Sequence, residues 1–163
     1  MPAALRSRPK HATTCSGARE SNAWSRSGSD LCEEEHRGIE SSGGRIATFY
    51  GAELAEASFV GESWAAQCRR IVEKLPDLVH VSFDVDGLDP ALCPHTGTKV
   101  PGGLSFQMAT SLLASVVKSG RRLVGFDLTE VAPAYGGQRW DENVGARILY
   151  KLIGWSLRSF SKN

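Results

Sequence analysis

LVHVSFDVDGLDP, residues 78–90, joins a short apolar run to three aspartates and a proline. The run LVHVSF has the length and residue types of a buried β-strand. It ends on Asp84 and Asp86, two positions apart. In an extended backbone, side chains at i and i+2 point the same way, so both carboxylates are expected on one side of the strand tip. Close carboxylates repel and raise each other's pKa unless a cation or donor lies between them. A hard or borderline divalent ion is the natural partner, Mg, Mn or Ca by ligand type. Asp89, with Gly87 and Pro90 beside it, reads instead as the turn after the strand.

Two alternative readings of the acids fail on spacing. An EF-hand loop beginning at Asp84 needs Gly at its sixth position and Glu at its twelfth, where the chain has Asp89 and His95. A phosphate-binding P-loop needs Lys after its second glycine, and the stretch Gly97 to Gly103 has none there.

The pattern around the strand tip sets the fold class. RIATFYG (45–51) reads as a short strand. SWAAQCRRIVEKLP places Trp64, Cys68, Ile71, Val72 and Leu75 on one helical face, with Ser63 as N-cap and Pro76 as the stop. SFQMATSLLASVVKSG does the same with Phe106, Ala109, Leu112, Leu113, Val116 and Val117, between Ser105 and Gly120. LVGFDL (123–128) is a further strand, and Asp141 to Phe160 carry Val144, Ile148, Leu149, Leu152, Ile153 and Leu157 at helical spacing. Strands alternating with helices predict an α/β domain with a parallel sheet covered on its faces.

Residues 1–44 differ. They are rich in Ser, Gly and Arg, with Leu5, Leu31 and Ile39 as their only Leu, Ile or Val, so most of the segment is expected to be disordered. Residues 1–29 carry Arg6, Arg8, Lys10, Arg19 and Arg26 against Glu20, an organelle-transit-like balance that Pro2 and Pro9 oppose. They read as a disordered or foreign leader, with residues 30–163 as the domain. A net charge of +1 argues against a nucleic-acid partner, and no apolar run approaches the roughly 20 residues of a membrane span. The four cysteines form no CxxC pair, which points to a reduced, cytoplasmic protein, or an organellar one if the leader is a targeting signal.

In parallel α/β sheets ligands bind beyond the carboxyl ends of strands, so the segments after each strand are the site candidates. CPHTGTKVPGGLS (93–105) is rich in Gly and Pro and takes a defined path. Thr96 and Thr98 could bond a polar substrate or their own turn; spacing does not separate the two. His95, a lone loop histidine, reads as solvent-facing rather than as a third metal ligand. Glu130 could accept a guanidinium or be a solvated acid at a strand end.

SFDVDGLDP, TGTKVPGGLS and LVGFDLTEVAP, in this order and at these separations, resemble the carboxyl-terminal half of the ureohydrolases: arginase, agmatinase, guanidinobutyrase and formimidoylglutamase. The resemblance runs from DLCEEE near residue 30 to WDENVGARILYKLIGW. It implies a three-layer α/β/α arginase-like fold and a two-ion manganese centre whose activated hydroxide attacks a guanidine or amidine carbon. By motif position Asp84 would bridge both ions, Asp86 would ligate one, and Thr98 and Glu130 would line the pocket for a small cationic amidine or guanidine. A homo-oligomer of the family's kind is a further implication. The EEE run and ENVGARILY lean towards agmatinase and formimidoylglutamase. The family's other four ligands belong to GGDHS-type and DAHxD-type motifs, and none of His11, His36, His80 and His95 sits in such a setting. A partial fold lacking its early strands is therefore expected. Such a chain alone should bind manganese weakly and turn over little substrate. It could also be an inactive homologue that associates with a full-length subunit.

Overall fold

The computed structural model describes residues 13–17, 22–26, 33–133, 135–137 and 139–161. In chain order the elements are β1 (Thr13–Gly17), β2 (Asn22–Arg26), α1 (Glu33–Glu40), β3 (Ile46–Tyr50), α2 (Gly51–Phe59), α3 (Trp64–Glu73), β4 (Leu78–Asp84), α4 (Phe106–Lys118), β5 (Arg122–Thr129) and α5 (Trp140–Phe160). Single 3-10 turns lie at 85–87 and 135–137.

β4 is the centre of the core. Its alternation buries Val79, Val81 and Phe83 on one face. Cys68, Ile71 and Val72 of α3 join them there, with Leu112, Leu113, Val116 and Val117 of α4 and Val144, Ile148 and Leu152 of α5. The helix limits follow local chemistry. The Ser63 and Ser105 hydroxyls accept from the Ala66 and Met108 amides, which would otherwise lack partners. Gly120, at φ 102, takes the left-handed turn that ends α4. Trp64 ties α3 to α4 by donating its indole N–H to Met108 O at 3.1 Å and Ser111 Oγ at 2.7 Å. Ser159 Oγ of α5 accepts from the Leu123 amide at 3.1 Å, and Ser156 Oγ donates to the Leu123 carbonyl at 3.1 Å, seating α5 on β5.

The five-stranded sheet runs β3-β2-β1-β4-β5. Its pairs β4–β5 and β2–β3 are parallel, as the alternation of strands and helices suggests. The expected parallel pairing is thus present, and β1 adds an antiparallel strand between β2 and β4, which makes the sheet mixed.

Within residues 1–44, for which disorder is expected over most of the length, the structure describes β1, β2 and α1. Sheet pairing uses main-chain N–H and C=O groups, which the edge of β4 supplies to residues of any type. The rest of the segment 1–29 lies outside the described residues.

The periodicity of α5 separates into two stripes. Val144, Ile148 and Leu152 are buried, whereas Leu149, Ile153 and Leu157 stay exposed, together with Tyr150 and Phe160. On the polar side of β4 and β5, Ser82 donates to Asp127 at 2.6 Å, and His80 lies 3.9 Å from the same carboxylate. No helix among the described residues is long and apolar enough to cross a membrane.

Candidate functional site

The carboxyl ends of β4 and β5 meet the loop 93–105. Asp84 is the last residue of β4, and its Oδ1 accepts from the Asp86 amide at 2.9 Å. That bond starts the 3-10 turn 85–87. Asp84 therefore ends the strand, and Asp86 lies in a turn that Asp84 caps rather than in extended backbone. The turn carries Asp86 inward to 1% exposure, while Asp84 stays half-buried.

Burying a carboxylate is costly unless donors meet it. For Asp86 they come from Thr98, whose amide and hydroxyl both donate to Oδ2, at 3.1 Å and 2.6 Å. Of the two roles left open for the Thr98 hydroxyl, neither describes this contact: it bonds the candidate metal ligand. Asp89 makes the turn. Its Oδ1 accepts from Ala91 N at 2.9 Å and its carbonyl from Leu92 N at 2.8 Å.

The turn after β4 and the Gly-rich loop 93–105 are stitched together. Asp89 N donates to Leu104 O at 2.9 Å, and Leu104 N donates to Gly87 O at 3.0 Å. A Cβ on Gly103 would fall 2.2 Å from the Leu88 carbonyl oxygen, so only glycine fits this approach.

Glu130 comes directly after β5 with φ 63, the left-handed region that a residue bearing a Cβ enters at a cost. Buried Thr96 holds its carbonyl through a 3.0 Å hydroxyl bond. Gly97 lies beside its carboxylate: a Cβ there would sit 3.7 Å from Glu130 Oε2.

His95 does not simply face solvent. Its amide donates to Asp141 Oδ2 at 2.9 Å and its Nδ1 lies 2.9 Å from Asp141 Oδ1, with Asp141 fully buried in the first turn of α5. Burial, then the nearby carboxylates of Asp141 and Asp86, push the Cys93 thiol up to about 12, so it stays protonated and inert as a nucleophile at neutral pH. The Asp141 and Thr96 contacts had no sequence signal. Asp141 lies 46 positions from His95 and reads as an ordinary acid at a helix start.

The loop thus brings Asp84, Asp86, Thr98 and Glu130 to one end of the sheet. Their oxygen donors suit manganese in type. In number they do not complete a centre, since among the described residues no group of three or more His, Cys, Asp or Glu is arranged to hold an ion.

The arginase family model matches residues 5–154. The chain belongs to the arginase family. The match begins upstream of β1 and takes in every described element except the last turns of α5. The N(1)-aminopropylagmatine ureohydrolase of Thermus thermophilus is 40% identical over 84 residues, which are 52% of this chain and 28% of that protein. The agmatinase of Proteus mirabilis is 41% identical over 88 residues, 54% of this chain and 28% of its own length. The proclavaminate amidino hydrolase of Streptomyces clavuligerus superposes with a TM-score of 0.63 at 30% identity, covering 83% of this chain and 42% of the other. The fold is therefore arginase-like α/β and partial, and the matched stretches span less than a third of these curated relatives.

Proposed function

We propose that the arginase-family domain carrying these residues hydrolyses a C–N bond of a small linear guanidine or amidine with manganese as its metal, agmatine-like substrates being favoured. The observation that carries this is the convergence of the acids on one loop. Thr98 binds Asp86, Thr96 binds the Glu130 carbonyl, and Gly97 lies against the Glu130 carboxylate.

In this reading Asp84 and Asp86 hold the cation, and the two Thr98 donors orient Asp86. The Glu130 carboxylate receives the cationic guanidinium through charge-assisted bonds. Manganese, when bound, would make water a competent nucleophile at neutral pH. With a guanidine, one water is consumed and urea and a primary amine are released. The agmatine preference draws on relatives named for agmatine and aminopropylagmatine.

A second reading is favoured by the exposed row Leu149, Tyr150, Ile153, Leu157 and Phe160 on α5. In it the chain is inactive and associates with a longer chain of the same family.

Both are tested by one experiment. The chain is supplied with manganese and offered agmatine, arginine or 4-guanidinobutyrate, alone and co-expressed with the upstream portion of an agmatinase relative. The catalytic reading expects urea only from the co-eluting assembly, lost on Asp84→Asn. Co-elution without urea from any substrate rejects it in favour of the association reading.

A further inference from the structure

The loop from Cys93 to Thr98 is fastened at three successive points. His95 is held by α5, Thr96 by the residue after β5, and Thr98 by the turn after β4. The first fastening differs in kind from the others. Both oxygens of Asp141 are directed at one residue, and the carboxylate is fully buried. A carboxylate can only accept, so the ring nitrogen facing it, Nδ1, is assigned the proton. The two contacts fix the backbone and the ring of His95 together, at the point where the loop crosses the start of α5.

The next contacts along the loop depend on that placement. One residue on, Thr96 holds the carbonyl of Glu130 in its left-handed conformation. Gly97 passes the Glu130 carboxylate, and Thr98 directs two donors at Asp86. We propose that Asp141 and His95 form a latch that sets the register of this loop, and so positions Glu130 and Asp86. Both are positioning residues, as neither is placed against the reacting atoms. The latch rests on the functional reading above only for its effect on turnover; its effect on the loop is independent of it.

The test compares His95→Ala with His95→Asn, whose side-chain amide can replace the Nδ1 donor. Native-state amide exchange is read at Thr98, bonded to Asp86, and at Val81 in the core of β4. Loss of a hydrogen bond to a charged group should accelerate Thr98 exchange by about tenfold or more in His95→Ala, with His95→Asn within about twofold of the parent and Val81 unchanged. In the urea-releasing assembly, the same substitution should raise KM for agmatine more than it lowers kcat, with rescue by His95→Asn. Equal acceleration at Thr98 and Val81, or His95→Asn as fast as His95→Ala, would overturn the latch. If His95→Ala does not fold, Asp141→Asn carries the same exchange comparison. An assembly that releases no urea refutes the functional reading and leaves the exchange result to decide the latch.

Discussion

Gly103→Ala should be strongly damaging for a single-methyl change. The added Cβ would meet Leu88 O at 2.2 Å, Leu88 C at 2.3 Å and Asp89 N at 2.6 Å, all of them main-chain atoms that no rotamer change can move aside. Relief requires the PGG loop to separate from the turn after β4. That breaks the Asp89–Leu104 and Leu104–Gly87 hydrogen bonds, at about 1 kcal/mol each. Overpacking next to buried Leu88 and Leu104 adds about 1–3 kcal/mol. The total is about 3–5 kcal/mol, a large part of the roughly 5–15 kcal/mol of a typical domain. For a chain of this size, at about 2–4 °C per kcal/mol, Tm should fall by about 6–20 °C. Gly102→Ala is the internal control. Its φ of 87 strains any Cβ, but nothing lies within 4 Å, so only about 1 kcal/mol is expected. Urea denaturation of both variants, monitored by circular dichroism, measures the difference. Equal losses would refute the close-approach argument, and an unaffected Gly103→Ala would refute the stitching of the turn to the loop.

The same geometry sets three further outcomes. Thr98→Val removes the 2.6 Å hydroxyl bond to the buried Asp86 carboxylate and should cost about 1.5–3 kcal/mol, largely restored by Thr98→Ser, as read from denaturation midpoints. Glu130→Gly should separate stability from function: relief of φ 63 leaves stability unchanged or raises it by about 1 kcal/mol, while urea release from the assembly is lost. Cys93 sets an alkaline limit. Its folded pKa, raised from 9.0 to about 12, keeps the thiol protonated while the unfolded chain ionises. The contribution is whole below pH 9 and is lost as pH rises from 9 towards 12, at up to about 1.4 kcal/mol per pH unit. Cys93→Ala should flatten that slope in unfolding titrations.

Much of the fold was legible because its signals are local. Ser63 and Ser105 cap helices three residues before the amides they bind, and the alternation of β4 places Val79, Val81 and Phe83 on the buried face. The family was legible for the same reason, since each motif is a contiguous run around one strand end. Long-range pairing was not legible. Nothing in Thr13–Gly17 or Asn22–Arg26 announces a partner, because main-chain pairing leaves no residue signature, and the antiparallel course of β1 had no local signal. In the site, Asp84 and Asp86 were read from i, i+2 spacing. That spacing implied parallel side chains in an extended strand, whereas the 3-10 turn sends Asp86 inward. Thr98 stood out by motif, but its contact with Asp86 depends on the path of the intervening loop. Asp141 became visible only when α5 brought it beside His95.

The central claim is that the tip of β4 belongs to a cation site of an arginase-family hydrolase. The most direct measurement is anomalous diffraction at the manganese edge, on crystals of the co-eluting assembly grown with the ion at millimolar concentration. A manganese peak at the Asp84 and Asp86 carboxylates, abolished in Asp84→Asn, is the expected result. Manganese bound away from both carboxylates, or none at that tip, would contradict it.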